Sequence, residues 1–214
     1  MTHLTSASPL PSAAGASRRP GVLALAAALL AAGLALAGCT AAPPSSDGSD
    51  GTGGAGELLA AYELTDLDAA EVIERLDTMP VADRPSGLLA SVQPDALVLR
   101  DDSDREARLP MPDDQVYVSV APFLEQTHEC HFHSLTTCLG ELSDAEIRVT
   151  LTGDDGAVLI DETRTTYDNG FVGLWVPRGI DASLEIEHGG RTGTVPVSTR
   201  TDQDATCITT LQLL

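Results

Sequence analysis

The sequence predicts an α+β protein: a short N-terminal helical region followed by a C-terminal antiparallel β-sandwich. Three observations lead there. Val72, Ile73, Leu76 and Met79 repeat at helical spacing and stop at Pro80. From Ala96 onward the apolar residues fall instead into short runs that alternate with polar ones. Turn signals at Asp154-Asp155-Gly156, Pro177-Arg178-Gly179 and Gly189-Gly190 separate those runs at the spacing of a small sandwich.

The chain divides at residues 38, 56 and 125. Residues 1–38 read as a secretory signal: Arg18-Arg19 supply positive charge, and Gly21 to Gly38 is an unbroken apolar run. That run is Ala-rich and short for a permanent membrane span. It ends in Leu36-Ala37-Gly38-Cys39, which resembles a bacterial lipobox and makes Cys39 the expected lipidation site and mature N-terminus. Residues 39–56 contain no large apolar side chain and read as a flexible tether. The protein is therefore expected to be exported and held by lipid at the outer face of the cell membrane, on the periplasmic side or the cell surface.

Residues 57–125 form the expected N-terminal α+β region. Glu57 to Met79 reads as helix in two pieces, the second opened by Asp68 as N-cap with Glu71 three residues on. Leu88 to Ser91 reads as a further short helix, and Ala96 to Leu99 as a strand. Asp101 to Glu106 reads as a solvated charged loop without the spacing of a calcium loop. Val116, Val118 and Val120 share one face of a strand that Pro122 ends.

Residues 126–214 hold the expected sandwich. Ile147, Val149 and Leu151 pair across the Asp-Asp-Gly turn with Val158 and Ile160. Gly170 to Val176, the pair Leu184 and Ile186, and the pair Val195 and Val197 supply further strands. A last strand from Ala205 places Cys207 on one face with Leu211 and Leu213. There it serves either as a small core hydrophobe or as a group turned toward the Cys130–Cys138 loop.

The chemistry concentrates in His128 to Cys138, with two of the four cysteines and three of the five histidines. Thiolate and imidazole are ligands of soft and borderline metals. With Cys39 committed to lipid, Cys130, Cys138 and Cys207 remain, an odd number in an oxidising compartment. Three readings compete. A Cys130–Cys138 disulfide closes a short loop and makes a disulfide-stapled extracellular binding module without metal. A soft-metal site uses Cys130, Cys138 and Cys207, with His128, His131 and His133 as alternates; copper fits it first and zinc second. A Cys–His nucleophile lacks an orienting group and an oxyanion motif.

The formal charge of −20 excludes a nucleic-acid partner, because phosphate binding needs a basic footprint. It also leaves attachment to anionic lipid to the acyl anchor.

Thr127-His128-Glu129-Cys130 followed by His133-Ser134-Leu135-Thr136-Thr137-Cys138 and Gly140-Glu141-Leu142 resembles the CueP family of periplasmic copper-binding proteins. Leu76 to Pro85 and the single late Cys207 fit the same family, and the resemblance spans Leu58 to Leu214. It implies copper resistance outside the cytoplasm and copper bound by three cysteines, which match Cys130, Cys138 and Cys207, with His128 and His133 as the histidines of the pattern. It further implies reduction of Cu(II) to Cu(I), hand-over to an exported copper protein or a thiol–disulfide partner, and a homodimer. The lipobox departs from a free periplasmic protein.

Overall fold

The computed structural model describes residues 50–214. The signal segment 1–38, Cys39 and the tether up to residue 49 lie outside the described residues. Two helices come first, α1 (Asp50–Ala61) and α2 (Ala69–Asp77), then a 3-10 turn at Val81–Asp83 and ten strands. No helix among the described residues is long and apolar enough to cross a membrane.

Helix α2 forms as its sequence dictates. Asp68 accepts from the Glu71 amide, and the Glu71 carboxylate accepts from the Asp68 amide, each at 2.9 Å. Val72, Ile73 and Leu76 are buried, each contributing roughly 1.5–3 kcal/mol of apolar transfer. They pack on a three-stranded antiparallel sheet of β1 (Leu88–Val92), β2 (Ala96–Asp101) and β3 (Glu106–Pro110).

The sandwich packs two sheets. One has the order β10–β4–β7, from β10 (Cys207–Ile208), β4 (Gln115–Val120) and β7 (Val172–Pro177). The other has the order β6–β5–β8–β9, from β6 (Val158–Thr165), β5 (Glu146–Gly153), β8 (Asp181–His188) and β9 (Arg191–Ser198). All pairings are antiparallel except β10 with β4. Val116, Val118 and Val120 meet Ile147, Val149, Leu151, Leu184 and Ile186 in the sandwich core. Strand β4 thus belongs to the sandwich although it precedes residue 126.

Strand β4 is buried on both faces. Its valines face the sandwich, and Tyr117 and Ser119 face α2. Tyr117 fits because Gly173, on the neighbouring strand, has no side chain: a Cβ there would lie 1.6 Å from the Tyr117 hydroxyl. The two cores therefore share one strand.

Four local expectations change. Leu88–Ser91 lies in strand β1 rather than a helix, because pairing with β2 and packing on α2 outweigh local helix propensity. The charged loop is shorter than expected, since β2 runs to Asp101 and β3 begins at Glu106. Asp101 is buried there and accepts from the Ser103 and Arg105 amides and the Arg105 guanidinium. Helix α1 starts at Asp50, inside the stretch expected as tether; buried Leu58 anchors it on the N-terminal core despite its glycines. The last strand is only Cys207–Ile208, and Thr206 to Thr209 are buried consecutively. Neighbours cover both sides of that segment, so alternation breaks: Ile208 joins the sandwich core, while Cys207 joins Ala121, Cys138 and Phe171.

Gly173→Ala is expected to force Tyr117 out of its slot. Denaturant unfolding should show a loss of about 1–3 kcal/mol.

Candidate metal centre

The His/Cys segment has no helix or strand, yet its backbone is tied down at both ends. Val92 donates to the His133 carbonyl at 2.8 Å, and Leu135 donates to the Ala90 carbonyl at 2.9 Å. The loop thus extends the edge of β1. The Thr206 and Cys207 amides both donate to the His131 carbonyl at 3.0 Å. The Thr206 hydroxyl accepts from the His133 amide and donates to the Val92 carbonyl, joining β1, the loop and the C-terminal segment. Before the loop, the Glu141 carboxylate accepts from the Leu124, Glu125 and Gln126 amides, which holds its own pKa below the ordinary carboxylate value.

These ties bring the sulfur and imidazole groups together. Cys130 Sγ lies 3.7 Å from Cys138 Sγ, and Cys207 Sγ lies 3.7 Å from His133 Nδ1. Two compact groups result: His128, Cys130 and Cys138, and His133, Cys138 and Cys207, each with ligand atoms within 4.8 Å of one another. All three cysteines are free thiols. His131 turns away and meets the Gln203 carbonyl at 3.0 Å. Cys130, Cys138, Cys207, His128 and His133, drawn from the loop and from β10, thus lie close together, whereas His131 does not join them.

His133 is fully buried, and its orientation comes from a residue the sequence reading missed. Asp77, the last residue of α2, meets His133 Nε2 at 3.1 Å. The same carboxylate accepts from the Tyr117 hydroxyl at 2.7 Å and the Asn169 amide at 2.9 Å. With Nε2–H given to Asp77, Nδ1 is the nitrogen left for the sulfurs, as a carboxylate behind a ligand histidine arranges. A signal for Asp77 was present: it lies four residues after Ile73, on the apolar face of α2, where a carboxylate needs donors. Phe171, its ring centroid 4.6 Å from that of His133, walls the imidazole. Arg84 donates to the Cys138 carbonyl at 2.9 Å, with its Nε and Nη2 buried and without partners.

Burial alone would raise the Asp77 pKa, but the hydrogen bonds and charge of His133 outweigh it and lower the value. Burial likewise opposes protonation of His133. The hydrogen bonds to Asp77 and Cys138 prevail and raise its pKa to about 9. Cys138 moves down, through hydrogen bonding to Cys207 and then to His133. Burial pushes Cys130 up from 9.0 to about 11. Hydrogen bonding to the Cys138 sulfur, followed by burial, pushes Cys207 up. The directions of these shifts favour the thiolate at Cys138 and the protonated form of His133, and disfavour ionisation of Cys130 and Cys207 in the metal-free centre. Thiolate sulfur is the form that binds metal.

A buried cluster of soft donors on an α+β sandwich defines a class of candidate thiolate–imidazole metal proteins. Comparison makes the class particular. Residues 71–212 match the family described as "Periplasmic copper-binding protein CueP". The chain is also similar to a crystal structure of S.CueP, with 32% identity and a TM-score of 0.69, covering 74% of this chain and 96% of that one. The chain belongs to the CueP family. No curated protein matches it.

Two measurements check the electrostatics. Thiolate ultraviolet absorbance of the reduced, metal-free protein at neutral pH should correspond to one thiolate, lost in Cys138→Ser and kept in Cys207→Ser. The folded pKa of Cys130 lies above its unfolded value. Its contribution to stability is therefore complete below pH 9.0 and is lost as pH rises toward about 11. The thermal midpoint should fall across that window, and fall less in Cys130→Ser.

Proposed function

We propose that this protein is an exported copper-binding lipoprotein that sequesters Cu(I) through Cys130, Cys138 and Cys207, aided by His128 and His133. One observation carries the reading: three free cysteines and two histidines, separated by up to about eighty positions in the chain, converge on one largely buried cluster. Family membership supports copper as the ion. Cu(I) is satisfied by few polarizable ligands. Each compact group offers three donors, short of the four that close a structural zinc site, so zinc is second.

Extracytoplasmic work follows from the signal and lipobox, and Cys39 carries the lipid that keeps the domain at the membrane. Copper resistance is the role, either by storage or by hand-over to an exported copper protein or a thiol–disulfide partner. A homodimer belongs to the same reading. Cu(II) reduction suits the same centre. Oxidising the Cys138 thiolate and the Cys130 thiol, 3.7 Å apart, to a disulfide releases two electrons, one to each of two Cu(II) ions, and one proton to solvent; a thiol–disulfide partner then reduces the pair before it holds Cu(I).

The test is Cu(I) titration of the reduced full chain in detergent against a competing chelator, with free thiols counted before and after. One tightly held copper that protects three thiols is expected. Cys138→Ser removes a direct ligand and should weaken binding by about 100-fold or more, at least what loss of an outer-shell partner costs. An unchanged thiol count, with no competition for copper, would remove the function. Cys39→Ser should shift the protein from the membrane to the soluble fraction.

A further inference from the structure

The five donors do not form one shell. They fall into two overlapping triads, each with one nitrogen and two sulfurs, and Cys138 is the member common to both. The triads differ in depth. In the outer one, His128 is solvent-accessible and Cys130 half-buried. In the inner one, His133 and Cys207 are 0% and 2% exposed.

The outer triad opens on an apolar groove of about 600 Å³, lined in part by Phe123, His128, Cys130 and Thr209. The inner triad lies behind it. Its histidine is fixed by Asp77, and Phe171 covers the ring. The same Phe171 ring also neighbours the outer histidine, its centroid 6.2 Å from that of His128. Cys138 is the most exposed residue of the inner triad, at 8%.

We propose that copper occupies two successive positions in this centre: an outer loading position of His128, Cys130 and Cys138, and an inner holding position of His133, Cys138 and Cys207. This rests on the copper-binding reading above. The shared Cys138 sulfur lets the ion move inward by ligand exchange. His128 and Cys130 are released as His133 and Cys207 are gained; His133 Nδ1 and the Cys207 sulfur give up one proton each, one passing to the released Cys130 sulfur and the other to solvent, and the ion stays bound to Cys138 throughout. No bond to Cys138 breaks, no electron moves, and the step needs no co-reactant. Soft thiolates hold Cu(I) at both positions. Water reaches only the outer one, so the inner position retains the ion and the outer one exchanges it.

Depth gives the two positions different kinetic signatures. Copper passes the outer triad on entering and on leaving, so removing His128 slows both. Removing Cys207 leaves the loading path intact and shortens retention. The experiment is stopped-flow transfer of Cu(I) from a chromogenic chelator to the reduced full chain, and the reverse transfer, on wild type, His128→Ala and Cys207→Ser.

His128→Ala should slow loading and release together by about tenfold, so that Kd changes much less than either rate. Cys207→Ser should speed release by about tenfold or more and leave its loading faster than that of His128→Ala. Cys207→Ala, which buries no new hydroxyl, gives the same comparison if the serine variant fails to fold. The same kinetic pattern in His128→Ala and the Cys207 variants, with release faster and loading unaltered, would overturn the two positions in favour of one shell. Failure of wild type to take copper from the chelator would instead overturn the copper-binding reading itself.

Discussion

A carboxylate with no access to water stands behind the centre. Asp77 is 0% exposed, and an unpaired buried charge of that kind costs several kcal/mol. Its donors come from three places: Tyr117 on β4, Asn169 between β6 and β7, and His133 in the loop. Satisfying Asp77 therefore fixes α2, the shared strand, one inter-strand turn and the His/Cys loop relative to one another. The helix contributes no metal donor, yet its last residue sets which nitrogen of His133 faces the sulfurs.

The loop around that histidine lacks repetitive structure because its work is to aim side chains, not to continue a sheet. Its backbone groups are still paired, as buried amides and carbonyls must be. Residues 133–135 borrow the edge of β1, the Cys138 amide closes a turn on the Ser134 carbonyl at 3.1 Å, and Gly140 donates to the Asn169 carbonyl at 2.6 Å. Gly140 and Gly170 approach so closely that a Cβ on either would meet the other's carbonyl oxygen at 2.6 Å, and Gly170 also has a φ of +78°. That contact fixes the chain two residues after Cys138, which packs with Ala121, Phe171 and Cys207.

Charge is distributed to match. The chain is strongly acidic, yet the charged side chains beside Cys138 include His133, whose protonated form is favoured, and the Arg84 guanidinium on the Cys138 carbonyl. They offset the thiolate and Asp77 locally. Acidity elsewhere is a property of the solvated surface and leaves the centre able to hold a sulfur anion.

Local signals were legible where local chemistry decides the outcome. The capping box of α2, its buried stripe, the alternating strands and the donor-rich stretch from His128 to Cys138 could all be read directly. So could the family resemblance, because its motif is short and contiguous. Reading failed where distant neighbours override propensity, as for β1, the early start of α1 and the short final strand. Cys207 shows the division well. Its residue type and its odd count were visible, but its direction was not, since burial on both sides of Thr206 to Thr209 erased the alternation. The sequence by itself determined the donor types, their number and the α+β order of elements, because those depend on residue identity and short-range periodicity. Only the tertiary structure decided that Asp77 stands behind His133, and that Cys138 joins an outer and an inner group. Those facts depend on which buried polar groups meet across long separations in the chain.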